Sequence, residues 1–268
     1  MGTTDFYWDK RILIFGASGG LGQELARQLA LRGAARLYLS GRRETALRAL
    51  AEELRAKGTE AEILPCDVTD REALAACISR AAAAGLDGAF IACGVAPGKS
   101  ADGLEEPEDI ARCLAVNTAA PAEAMVLLCR CWERTGGAHF LSVVTSQAGL
   151  LPLPYVPVYA ASKAGLNAFG EGLRDRLRAS GTALTLVMPG FFDSPMGRRF
   201  RGRKWFVLSA AEAAEKTLDG TARGRERYIF PRAFHGAIVL AQVLPRWIVR
   251  PVMGLFAFET LPEEHTET

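Results

Sequence analysis

The sequence predicts a single α/β domain built on a doubly wound, mostly parallel sheet with helices on both faces, and three observations point there. Short apolar runs of β type alternate with long stretches of helical periodicity, the rhythm of strands joined through crossover helices. The runs are continuous, Ile12-Leu13-Ile14-Phe15 and Leu184-Thr185-Leu186-Val187 among them, as strands covered on both faces require. Each interval between runs has room for one helix, so no long structureless loop is needed.

Composition agrees with this class. Of 268 residues 49% are hydrophobic and 23% charged, which supplies a large core and too little charge for disorder. Lys and Arg number 32 against 30 Asp and Glu, a net charge of +2, so no strong basic field marks nucleic acid as a partner. The six cysteines form no CxxC pair and find no His spacing that closes a tetrahedral metal site. Reduced thiols in a cytoplasmic protein, and no metal, are expected; His139, His235 and His265 are read as structural or surface residues. The first apolar run follows only a short polar lead, which leaves no room for a secretory signal.

Strands are expected near 11–15, 36–40, 61–65, 87–92, 138–144 and 182–188. The first runs into Gly16-Ala17-Ser18-Gly19-Gly20-Leu21-Gly22 and then into Gln23–Arg32, which has helix formers and an apolar stripe. Such a turn aims backbone N–H groups and the positive helix end at an anion, and glycines permit close approach. Gly16, Ser18, Gly19, Gly20, Leu21 and Gly22 are therefore candidate contacts for a pyrophosphate. Their pattern is G-x-x-x-G-x-G rather than G-x-G-x-x-G, and the bland alternative is a tight strand-to-helix turn with no ligand.

The second strand ends Leu39-Ser40-Gly41-Arg42-Arg43. It presents no carboxylate for a ribose 2′-hydroxyl, whereas guanidinium groups suit a 2′-phosphate. NADP(H) is favoured over NAD(H); the alternative makes Arg42 and Arg43 solvated residues opening a helix.

Near the end of the fifth run stands Ser146, thirteen residues before Tyr159, at the strand end where open α/β sheets place their ligand crevices. Tyr159 and Lys163 are four apart in a helical stretch and share a face. A tyrosine titrates at about 10, and a neighbouring ammonium favours the phenolate, so Lys163 is expected to draw Tyr159 down toward working pH. Tyr159 becomes a candidate acid or base. Alone, the pair would equally suit an ordinary helix surface; Ser146 changes that reading.

Taken together, Gly16, Gly20 and Gly22, then Asp67-Val68, Asn117, Ser146 within Thr145–Gly149, Tyr159 with Lys163, and Pro189-Gly190 follow an order and spacing that resembles the short-chain dehydrogenase/reductase family over about residues 10–195. Two departures stand out: Phe15 replaces a usual Thr, and Ile91-Ala92-Cys93-Gly94 replaces Asn-Asn-Ala-Gly, removing polar side chains beside the cofactor. The resemblance implies a Rossmann-type fold binding NADP(H), with Asp67 and Val68 at the adenine, Cys93 and Gly94 near the nicotinamide ribose, and Pro189, Gly190 and Ser194 further along, Ser194 where a Thr usually touches the nicotinamide amide. It implies that Ser146 holds a substrate carbonyl, Lys163 holds ribose hydroxyls, Asn117 anchors a water that links Lys163 to solvent, and Tyr159 passes a proton while hydride moves between cofactor and carbon. The substrate is then a small carbonyl or alcohol, and the assembly a homodimer or homotetramer. Competing readings are an inactive dinucleotide-binding regulator or scaffold, prompted by the altered Ile91–Gly94, and an epimerase or dehydratase.

The catalytic domain is expected over 1–227, its cofactor half about 10–100 and its catalytic half about 101–227, with 228–268 an apolar extension packed on the domain, on a partner subunit or on a membrane surface. After Pro189-Gly190, the cations Arg198, Arg199, Arg201, Arg203 and Lys204 surround Phe200. They are solvated surface, a lid, a contact for an anionic substrate group, or an attraction to acidic lipid headgroups. The tail is interrupted by Arg246, Arg250, Pro245 and Pro251, which argues against a membrane span. It packs over the cleft or another subunit, or lies peripherally on the inner face of a membrane through 233–258, with Trp247 as anchor; a lipophilic substrate would go with the second arrangement.

Overall fold

All six expected strands form in the computed structural model, which describes residues 5–97, 104–151, 156–202, 204, 206–232, 236, 238, 240, 241, 244, 245, 247–249 and 258–260. They are β1 (Arg11–Phe15), β2 (Arg36–Gly41), β3 (Glu60–Pro65), β4 (Gly88–Ile91), β5 (His139–Val144) and β6 (Thr182–Pro189). A short β7 (Phe200–Gly202) follows, then β8 (Arg227–Phe230) and β9 (Phe258–Thr260). Seven strands make one sheet in the order β3-β2-β1-β4-β5-β6-β8, parallel at each pairing.

The sheet is buried on both faces because alternate residues of each strand serve different layers. From β1, Ile12 and Ile14 join Leu25 and Leu29 of α1 (Gly20–Leu31), Leu47 and Leu54 of α2 (Glu44–Ala56), and Leu218 of α8 (Ala210–Ala222). Leu13 and Phe15 face the other layer, with Leu74 and Ile78 of α3 (Arg71–Ala82), Met125 and Trp132 of α5 (Ala120–Thr135), and Leu166 of α6 (Pro157–Ala179). Phe15, where the resembling family has Thr, is fully buried in that second layer.

α5 continues from α4 (Pro107–Leu114) through a single π-helical turn, Ala115–Ala119, that carries Asn117. The resulting helix, Pro107–Thr135, is long and apolar enough to cross a membrane by length and composition. Its apolar side is spent elsewhere: Met125, Leu128 and Trp132 pack against the sheet, and the Trp132 indole donates to the Leu86 carbonyl at 3.1 Å.

β8 has no counterpart among the expected strands. Arg227-Tyr228-Ile229-Phe230 pairs with Leu186–Pro189 of β6, so the sheet runs three residues past the boundary expected at 227/228. Four residues leading into an apolar tail carry too little period-2 signal to separate strand from tail. β9 pairs antiparallel with β7, which ties the far end of the extension to the segment after β6. The rest of 233–258, including His235, Arg246, Arg250 and Pro251, lies largely outside the described residues, as do Arg203 and His265.

Candidate active site

Strand order reverses between β1 and β4, and above the carboxyl ends of these strands such sheets open a crevice. Here it is a cleft of about 1500 Å³. At one end lies the glycine turn. Gly16 has φ +84, and a Cβ there would come within 2.8 Å of the Ala92 and Cys93 backbone; at Gly22 a Cβ would meet the Gly16 carbonyl oxygen at 2.1 Å. Only glycine lets β1, α1 and the segment after β4 approach this closely. The first residue before α1, Gly19, offers no side-chain cap, so the N–H groups of the opening turn face the cleft without an internal acceptor side chain. Gly16, Ser18, Gly19, Gly20, Leu21 and Gly22 all line it.

Next along the wall stand Arg42 and Arg43, both exposed at the end of β2. The Arg43 guanidinium donates to the Ser18 carbonyl, which braces the glycine turn, while Arg42 is left facing the cleft. Asp67 and Val68 follow. Burial works to raise the Asp67 carboxyl, but the Thr69 N–H at 2.9 Å, the Thr69 hydroxyl at 2.7 Å and the charge of Arg42 outweigh it and hold the group below the usual carboxylate range.

The segment after β4 shows what replaces the absent polar side chains of Ile91–Gly94. Asn117 reaches across from the π-helical turn, accepting from the Val95 N–H at 2.8 Å and donating to the Val95 carbonyl at 2.9 Å and to the Ser162 hydroxyl at 3.1 Å. Fully buried, it clamps the backbone that carries Cys93 and Gly94. A Cβ on Gly94 would sit 3.3 Å from the Asn117 amide oxygen and 3.4 Å from the Lys163 ammonium, so this backbone lies directly over both groups. Burial pushes the Cys93 thiol up, which keeps it protonated.

At the end of β5, Ser146 opens a 3₁₀ turn and accepts the Ala148 N–H at 3.1 Å. Tyr159 and Lys163 project from the first turns of α6, as their spacing predicts, and Ser146 hydrogen-bonds the Tyr159 hydroxyl. Lys163 is 3% exposed; its ammonium lies 6.0 Å above the Tyr159 ring and donates to the Val144 carbonyl at 3.3 Å. The expected downward pull on Tyr159 is overturned. Burial pushes Tyr159 up to about 12, opposed by the Ser146 hydrogen bond and reinforced by Cys113. Burial also lowers Lys163, and an ammonium spent on a carbonyl above the ring has little leverage on the phenol oxygen.

Pro189 and Gly190 close the far wall, and Ser194 is buried as the cap of α7 (Pro195–Arg199), accepting the Gly197 N–H at 2.9 Å. A Cβ on Gly20 would lie 3.4 Å from that of Ser194, so the segment after β6 reaches the glycine turn. The basic run here is folded. Arg198 pairs with Asp193 at 2.8 Å, Arg199 donates to the Ala96 carbonyl at 3.2 Å, and Lys204 donates to the Gly197 carbonyl at 2.7 Å. These cations brace a wall over the site.

Sequence reasoning missed that wall's apolar content: Phe191, Met196 and Phe200 cluster with Val156 and Tyr159. It also missed Gln147, which lines the cleft and donates to the Pro231 carbonyl at 3.3 Å. Their signal was position, directly after Pro189-Gly190 and Ser146, and no residue type there stands out chemically.

A model of the short chain dehydrogenase family matches residues 10–205. An oxidoreductase of Myxococcus xanthus described as uncharacterized is 35% identical over 236 residues, covering 87% of this chain and 92% of the relative. A fatty acyl-CoA reductase of Mycobacterium tuberculosis is 30% identical, covering 89% and 82%. Among solved structures, a short-chain dehydrogenase of Sphingobium yanoikuyae in complex with NADPH superposes with a TM-score of 0.74 at 26% identity, covering 88% of this chain and 97% of the other.

Proposed function

Because this chain belongs to the short chain dehydrogenase family, we propose that it is an NADP(H)-dependent oxidoreductase interconverting a ketone or aldehyde and an alcohol, with Tyr159 as proton donor. The observation that carries this reading is the convergence of Ser146, Tyr159 and Lys163 in one cleft with the glycine turn and Arg42.

The residues fit a dinucleotide. Gly16 and Gly22 let β1, α1 and the segment after β4 close into a tight turn, the α1 N-terminus suits a pyrophosphate, and Arg42 suits a 2′-phosphate. Gly16 to Gly22, Arg42, Asp67, Val68, Cys93, Gly94, Lys163, Pro189, Gly190 and Ser194 would hold it. Arg43 braces the turn at the Ser18 carbonyl. Bound NADPH supplies a hydride to the carbonyl carbon and is thereby oxidised to NADP⁺.

The chain's own residues handle the oxygen. Ser146 and Tyr159 present two hydroxyls to one carbonyl oxygen, fixing its position. Tyr159 then gives its proton to that oxygen, which completes the alcohol. A phenol held at about 12 is protonated throughout the physiological range and so always ready for reduction. Lys163, pinned to the Val144 carbonyl, holds the first turns of α6 against the end of β5. The NADPH-bound relative and the acyl-CoA reductase relative support the cofactor and the carbonyl chemistry respectively.

The test is a fluorescence titration with NADPH and NADH of the native protein and of Arg42→Ala. NADPH should bind tighter, and removing one charge-assisted contact worth about 1.5–3 kcal/mol should erase about tenfold to a hundredfold of that preference. A preference unaltered in Arg42→Ala would remove the 2′-phosphate assignment.

A further inference from the structure

The cleft is larger than one ligand needs: sites for small molecules hold about 300–1,000 Å³, and this one holds about 1500 Å³. Its composition changes along its length. Among the described lining residues the one carboxylate is Asp67, beside Arg42 and the glycine turn. Beyond Tyr159 the wall is apolar, first Phe191 and Phe200 after β6, and then Ile238, Leu244, Ile248 and Val249 from the extension. Leu244 and Ile248 are four apart, and backbone bonds from Leu244 N–H to the Leu240 carbonyl and from Val249 N–H to the Pro245 carbonyl give helical turns. One apolar stripe therefore faces the cleft. The two cations at this end, Arg198 and Arg199, already hold Asp193 and the Ala96 carbonyl.

We infer that the substrate is a carbonyl compound carrying a long unbranched alkyl chain, with the carbonyl at Ser146 and Tyr159 and the chain laid between the Phe191 and Phe200 wall and the Leu244 and Ile248 stripe. The inference rests on the reductase reading above. Two apolar segments in succession recognise length rather than a pattern of functional groups. The β7–β9 pairing anchors the extension to the same wall, so the stripe is held over the cleft by the chain itself.

Two measurements separate this inference from the reading beneath it. First, kcat/KM with NADPH is compared for hexanal, dodecanal and hexadecanal. Burial of each methylene is worth about a factor of four, so the value should climb by several orders of magnitude from hexanal to dodecanal before levelling. In Leu244→Gln/Ile248→Gln the ratio of hexadecanal to hexanal should fall at least tenfold. Second, calorimetric binding of 1-dodecanol and 1-hexadecanol to the cofactor-free protein should show the same dependence on length and the same loss in the double variant. Turnover independent of chain length, a preference for compact ring ketones of equal carbon number, or a double variant that binds 1-hexadecanol as the native chain does would overturn the inference. If no aldehyde is reduced, the reductase reading falls, and the calorimetry still decides whether the cleft takes an alkyl chain.

Discussion

The two ends of the cleft are built from different materials. At the dinucleotide end the glycine turn is closed by backbone approaching backbone, and at Gly16 and Gly22 the sequence is constrained to residues without a Cβ: at Gly22 an added carbon would lie 2.1 Å from the Gly16 oxygen. At the substrate end the contacts are apolar side chains from two distant stretches, Phe191 and Phe200 from one and Ile238, Leu244 and Ile248 from the other. Those two glycine positions tolerate almost no substitution. The substrate end accepts any residue of about the right size and hydrophobicity, which lets one scaffold change substrates while its cofactor site stays fixed.

The largest effect should come where the two ends meet. Tyr159→Phe keeps the ring against Phe200, 6.2 Å away between centroids, and removes only the hydroxyl. Turnover should drop by about 10²–10⁴-fold, the range for general acid catalysis, while NADPH affinity in the titration stays near that of the native protein. Substantial activity in this variant would take the proton away from Tyr159 and undo the division of labour between the two ends.

The pH response should divide the ends in the same way. Tyr159, raised to about 12, is neutral below that value, so reduction should hold level from neutral to alkaline pH. Alcohol oxidation needs the phenolate, and its kcat/KM should rise about tenfold per pH unit as the titration approaches the pKa. Asp67, held low by Thr69, stays charged across the same range, so NADPH affinity should not follow. A plateau of oxidation near neutrality would mean that Tyr159 titrates far lower than burial dictates.

That discrepancy marks where sequence reasoning reached its limit. The strands, the glycine turn, Ser146, Tyr159 and Lys163 were legible because each rests on spacing or on a residue type that a backbone conformation demands. The direction of the Tyr159 shift was not legible. It depends on how deeply α6 sinks against the cleft wall and on Lys163 reaching the Val144 carbonyl, both products of packing. The clamp of Asn117 on Val95 was hidden for the same reason: the two are 22 residues apart, and the expected role of Asn117, a water toward Lys163, concerned another neighbour. β8 escaped because three apolar residues after Arg227, at the head of an apolar tail, carry no contrast.

A smaller effect tests the rigid end by itself. Gly22→Ala adds one methyl where the neighbour is backbone, so the turn or α1 must shift. Overpacking of this kind costs about 1–3 kcal/mol, visible as a lowered midpoint in thermal unfolding, and NADPH affinity should fall alongside. Unchanged stability with unchanged affinity would show that β1 and α1 can part without loss, and the contrast between a backbone-built end and a side-chain-built end would dissolve.

The smallest effect belongs to the basic run. Asp193 and Arg198 are 60% and 64% exposed, and such pairs contribute about 0–1 kcal/mol. Asp193→Asn should therefore leave the unfolding midpoint within about a degree or two of the native value, and salt should change little. If the substrate end is held by the apolar packing of Phe200 and the β7–β9 pairing, removing this charge leaves the wall standing. A loss of several degrees, reversed by Arg198→Ala in the same chain, would instead mean that the unpaired guanidinium disturbs the wall, and that charge balance in the basic run holds the substrate end in place.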